Sequence, residues 1–155
     1  MFRARLKRKS VPRSEPYRTF AFGVLLRLTT TEHGGRETPL PGGSDEVARF
    51  RYRPDWGLPG MRPQEGTGAP VMAFSREDIH PGEIVRVVIV PPHPPMLSAW
   101  AEIDAGAELP MYEGARLCGV GRVLWRRDAD WPLSQADEDR FLAWVRGPDE
   151  GPQPD

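Results

Sequence analysis

At 155 residues the chain has room for one domain of ordinary size, since a second core would need roughly another hundred residues. Apolar residues make up 39% and charged residues 28%, and Gly (16) and Pro (18) fill so many positions that long regular helices are disfavoured and turns around a core are expected. One cysteine, Cys118, excludes an intramolecular disulfide and a multi-thiolate metal site, and the reducing cytoplasm is the simplest compartment.

The net charge of −1 is unevenly spread. Residues 1–18 carry seven basic groups against Glu15, residues 19–127 carry 12 basic and 13 acidic groups, and residues 128–155 carry two basic against eight acidic. The first block, with Arg3, Arg5, Lys7, Arg8 and Lys9, is a basic arm over residues 1–17, dense enough to neutralise nucleic-acid phosphates by counterion release. Its plainer reading is a solvated, disordered start attracted to the acidic end of its own chain. Ser10, Pro12, Arg13, Ser14 and Glu15 stand where a secretory signal would need an apolar stretch, so export by that route is not expected.

The clearest strand follows the arm. Phe20, Phe22, Val24, Leu26 and Leu28 recur with a period of two, the pattern of one buried strand face. The apolar run at 20–26 stops at Arg27, far short of a bilayer span, and no membrane partner is expected. Similar runs at 47–52, 71–74, 84–90, 97–103 and 117–125 predict five further strands, punctuated by Gly34-Gly35, Pro41-Gly42-Gly43, Pro81-Gly82 and Glu113-Gly114. The stretch 57–70 and the proline run at 91–95 read as connections, the second stiff and extended. Phe141, Leu142 and Val145 share one helical face, and Ser134 three residues before Asp137 resembles a capping pair, so one short helix is expected over 134–146. Gly147-Pro148 ends it, and the polar remainder to Asp155 is expected to be disordered. The fold expected is all-β, a small antiparallel barrel or sandwich over residues 18–127, followed by an acidic extension over 128–155.

Several chemistries lack their residues. Lysine occurs only at Lys7 and Lys9, so no glycine-rich loop is followed by a phosphate-binding lysine and no nucleotide is expected. Gly119-Val120-Gly121 lacks the third glycine of a dinucleotide fingerprint and lies within a strand-like run. His33, His80 and His93 are far apart and lack the spacing of a helical zinc site, so neither a metal nor another cofactor is expected. Gly42-Gly43-Ser44-Asp45 is not a nucleophile elbow, and Cys118 beside Leu117 and Val120 reads as a buried thiol. No residue is assigned a catalytic role, and the chain is not expected to be an enzyme.

Three segments, taken together, carry a family resemblance. Residues 24–40 read VLLRLTTTEHGGRETPL, residues 79–90 read IHPGEIVRVVIV, and residues 111–124 read MYEGARLCGVGRVL. In order and spacing they resemble the C-terminal (third) β-barrel of elongation factor Tu, whose pattern runs Gly-Gly-Arg-x-Thr-Pro, then Pro-Gly-[DE], then Glu-Gly-x-Arg-x-x-Gly-x-Gly. The matching residues are Gly34, Gly35, Arg36, Thr38 and Pro39, then Pro81, Gly82 and Glu83, then Glu113, Gly114, Arg116, Gly119 and Gly121.

The resemblance implies a closed six-stranded barrel. It also implies a non-catalytic binding module for tRNA-like RNA or a translation-factor surface, since that barrel helps hold the acceptor and T stem of aminoacyl-tRNA. By this resemblance Glu113, Gly119 and Gly121 would approach RNA, Arg36 and Arg116 would supply charge beside them, and Thr38 would belong to the same binding face. The other reading is a regulator or decoy of the immunity type that mimics the barrel to intercept a protein. The pattern departs from the family at Arg53-Pro54-Asp55-Trp56, where Asp55 would repel phosphate, and at the insertion 56–68, which has no counterpart.

Overall fold

The computed structural model describes residues 16–62, 65–92 and 97–155, and the basic arm side chains Arg3, Arg5, Lys7, Arg8 and Lys9 lie outside them. The alternating run read from the sequence is the middle of β1 (Tyr17–Leu28), the spine of the fold. It pairs antiparallel along its whole length with β9 (Arg116–Trp131) and on its other side with β7 (Ile84–Ile89). Beyond β9 lies β8 (Glu108–Glu113), then β3 (Asp55–Trp56) and β4 (Thr67–Gly68). Beyond β7 lies β5 (Val71–Phe74), and β2 (Leu40–Pro41) with β6 (Asp78–Ile79) forms a separate ribbon. The main sheet runs β4-β3-β8-β9-β1-β7-β5.

The sheet is a curled half-barrel with seven strands and two edges, β4 and β5, where a closed six-stranded barrel was expected. Both edges come from one stretch of chain, interrupted at Ala69–Pro70, where the proline has no N–H to continue a ladder. Val71 N–H still donates to Tyr52 C=O (2.9 Å), and Ala69 N–H to Pro54 C=O (3.3 Å).

Two expected strands are something else. Residues 46–50 form turns, because Asp45 accepts from Ala48 N–H (2.8 Å) and Phe50 sits at φ +60°, which strand pairing excludes, and Tyr52 makes an isolated β-bridge with Val71. Residues 97–103 open with α1 (Leu97–Ala101), so the described residues hold two α-helices where one was expected. Trp100 and Ile103, three apart, both bury, which is a helical spacing. In their place β8 supplies a strand that Pro110 hid, its Leu109 and Met111 pointing inward. The strand expected at 117–125 runs on as β9 to Trp131.

The sheet has a core on each face. Inside the curl, Phe22, Val24, Leu26 and Leu28 of β1 meet Trp56, Trp100, Leu109, Met111 and Val123. On the outside, α2 (Gln135–Arg146) lays Phe141, Leu142, Trp144 and Val145 over Ala21, Val88 and Trp125. Ser134 caps α2, accepting from Asp137 N–H (3.1 Å). A bulge in β9 exchanges which of its residues face which core. Gly23 faces Trp125 but Val24 faces Val123, so Leu124 is the extra residue and the alternation changes face there. Val123 therefore points inward, while Trp125 points outward, stacking on Phe141 (5.4 Å) and meeting Trp144 edge-on (5.1 Å).

Arg86 of β7 fixes the far end of α2. Its Nη1 donates to Trp144 C=O (2.8 Å) and Pro148 C=O (3.2 Å), and its Nη2 to the carbonyls of Val145 (3.1 Å) and Gly147. The segment after α2, expected to be disordered, lies back along the sheet instead: Arg127 Nε donates to Pro154 C=O (3.0 Å), and Pro154 is buried. A Cβ added at Gly23 would stand 2.1 Å from the Trp125 ring. Gly23→Ala is therefore expected to lower stability by about 1–3 kcal/mol, the usual cost of overpacking, as a shift in the urea unfolding midpoint. An unchanged midpoint would mean that the ring has other room.

Candidate functional site

The three segments that carry the resemblance converge on the end of β1. Gly82 N–H donates to Leu28 C=O (3.0 Å), Leu28 N–H donates to Glu83 C=O (3.0 Å), and Thr29 N–H donates to Cys118 C=O (2.9 Å). The chain then makes a 3-10 turn (Thr31–His33), which Gly34 closes at φ +88°, a backbone setting that favours glycine. Thr31 Oγ1 donates to Arg36 C=O (2.6 Å), and Arg36 Nε to Thr38 C=O (3.3 Å), which aims the guanidinium across the end of the sheet. Arg36 Nη1 donates to Glu113 Oε1 (2.7 Å) and also to Oε2. Tyr52 Oη donates to Glu113 Oε2 (2.7 Å).

Burial pushes the Glu113 carboxyl up, but the hydrogen bonds from Tyr52 and Arg36 and the adjacent positive charge outweigh it and hold it below the usual glutamate value. Burial raises Tyr52, and the carboxylate that accepts its hydrogen bond raises it further. Burial also raises the Cys118 thiol, and the Glu113 charge adds to that. The thiol is kept protonated, the opposite of an activated nucleophile.

Of the residues singled out in the sequence, Arg36, Thr38 and Glu113 thus stand together, with Arg36 and Glu113 half-buried and mutually neutralised. Arg116 pairs with Glu113 across the Gly114–Ala115 turn and is exposed. Gly119 and Gly121 point into the core: a Cβ at Gly121 would stand 2.5 Å from Val24 and one at Gly119 3.1 Å from Leu26. They lie on β9, flanked by β8 and β1, so close strand packing accounts for them. Tyr52 was missed as a member of the cluster. Its only signal was an aromatic hydroxyl in a run read as a strand. Among the described residues no three His, Cys, Asp or Glu side chains gather as metal ligands, and no helix is long and apolar enough to cross a membrane.

Compared with models of known protein families and with curated proteins, the chain matches none. The cluster's chemistry is that of a lock. Each charged or acidic group in it is matched by a partner, and together they tie residues 36, 52 and 113 at one end of the sheet.

Because the folded pKa of Glu113 is depressed, its contribution to stability is complete above the ordinary glutamate value of about 4.3 and is lost as pH falls through the folded value. Glu113→Gln is therefore expected to be less stable than the wild type at pH 7, with the gap closing in the acid window below the ordinary glutamate value of about 4.3 in denaturant titrations. A gap that stays constant across that window would show that the ion pair contributes nothing. Tyr52→Phe is expected to cost about 1 kcal/mol at pH 7, by the same measurement.

Proposed function

We infer that this chain is a non-catalytic binding module, similar to the third domain of elongation factor Tu, and that its curled sheet engages a protein surface of the translation machinery. The observation that carries the reading is the convergence of all three resemblance segments on the end of β1, joined by backbone bonds at Leu28 and Thr29 and by the Arg36–Glu113 pair. In this reading Thr67–Gly68 and Val71–Phe74 act as one strand bent at Ala69–Pro70, and its contacts with 52–56 make the half-barrel work as a closed six-stranded one.

Charge favours a protein over RNA as the partner of the folded body. Of 21 basic and 22 acidic side chains, residues 1–15 hold six and one, which leaves 15 against 21 for the rest. An excess of six acids repels phosphates, and the Arg36 charge is already matched. The exposed Arg116 on the β8–β9 turn is free to face a partner. A second reading, tRNA-like RNA, is favoured by the basic arm alone.

In a lysate pull-down split into protein and nucleic-acid fractions, the full chain is expected to recover a translation factor in the protein fraction. Arg116→Ala is expected to weaken that recovery several-fold without changing stability. Recovery of nucleic acid alone would move the ligand to RNA. Binding of labelled tRNA should then fall steeply with salt, and deleting residues 1–16 should flatten the slope. A chain that recovers neither overturns the binding-module reading.

A further inference from the structure

A groove of about 670 Å³ runs along the outer face of the sheet beside the C-terminal end of α2, within the size range of small-molecule sites. It shares no residue with the Arg36–Glu113–Tyr52 cluster. Its apolar walls come from Leu25, Ile84, Leu124 and Val145, and Ile84 is one of the few large apolar side chains exposed among the described residues. The bulge matters here, because Leu124 is the residue it leaves over on β9.

The charged lining is three arginines, Arg76, Arg86 and Arg146, against one carboxylate, Asp149. Arg76 pairs with Glu83 (3.1 Å), and Arg146 donates to Ser44 Oγ (3.0 Å) and Ser44 C=O (2.8 Å). Arg86 is only 6% exposed. Four of its five N–H donors go to carbonyls at the end of α2, and the fifth, on Nε, is buried without a hydrogen-bond partner. Neutral carbonyls satisfy donors but do not balance the positive charge. The nearest carboxylate is Asp149, 3.5 Å from Nε, on a side chain that is 96% exposed. An unmatched buried donor beside a weakly held carboxylate is the arrangement of an anion site whose present occupant is easily displaced.

We propose that this groove binds a short-chain aliphatic carboxylate, its carboxylate replacing Asp149 at Arg86 Nε under the charge of Arg76 and Arg146, and its hydrocarbon chain lying along Leu25, Ile84, Leu124 and Val145. The apolar walls select a hydrocarbon tail, and the excess of positive charge excludes amines. The proposal is independent of the partner assigned above.

The test titrates the full chain with hexanoate, with hexan-1-ol and hexylammonium as controls, following backbone amide shifts. Hexanoate is expected to give saturable shifts at Leu25, Ile84, Arg86 and Val145, while neither control does so at the same concentration. Asp149→Asn removes the competing carboxylate and is expected to tighten hexanoate several-fold. Arg146→Gln is expected to weaken it several-fold while circular dichroism stays unchanged. Equal shifts from hexanoate and hexan-1-ol, no hexanoate shifts, or an Asp149→Asn affinity equal to the wild type would each overturn the proposal.

Discussion

The outer layer of this protein depends on Arg86. The last carbonyls of a helix have no partners within it, and α2 ends against the sheet, where water cannot serve all of them. The Arg86 guanidinium reaches the carbonyls of Trp144, Val145, Gly147 and Pro148 at once and lies over the Trp144 ring at 5.3 Å. Each hydrogen bond from a charged donor contributes about 1.5–3 kcal/mol, and the positive charge suits the negative end of the helix, which together offset a desolvation cost of several kcal/mol. The same choice leaves Nε without a hydrogen-bond partner, so one residue both anchors the helix and charges the groove beside it.

The bulge at Leu124 is the second constraint. A strand with strict alternation keeps the same alternate residues on each face, and β9 exchanges them at the bulge: Val123 fills the curl while Trp125, two residues on, turns out to meet Phe141 and Trp144. The shift is possible because Gly23 opposite leaves room for the Trp125 ring. Without it the outer face of β1 would have no large aromatic against which α2 could pack.

At the other end of the molecule, glycines and charges that resemble RNA-binding features take part in packing. Gly119 and Gly121 allow β9 to sit close to Leu26 and Val24, and Arg36 is matched by Glu113. Pairing of this kind leaves little free charge at the end of the sheet, and that shifts attention to Arg116 and to the acid excess of the body.

How much was legible in the sequence follows the range of the interactions. The alternation at 20–28 is local, a period of two that any buried strand face imposes, and β1 lies there. The Ser134–Asp137 cap is local too, three residues apart, and α2 begins after it. Trp100 and Ile103 were misread because a short apolar run fits a strand as well as one helical turn, and only the space inside the curl decides between them. Pro110 disguised β8, whose partners lie on other strands. Arg86 gave a faint signal, one charge in the apolar run IVRVVIV, but its carbonyl partners lie about 60 residues later, as the separations of 58 to 62 record. Arg36 meets Glu113 across 77 positions. By itself the sequence determined a mostly β chain with a capped C-terminal helix, because periodicity and capping act within a few residues. The open curl, the second core and both charged clusters were decided by the tertiary structure, because burial and charge pairing depend on neighbours that only the folded chain brings together.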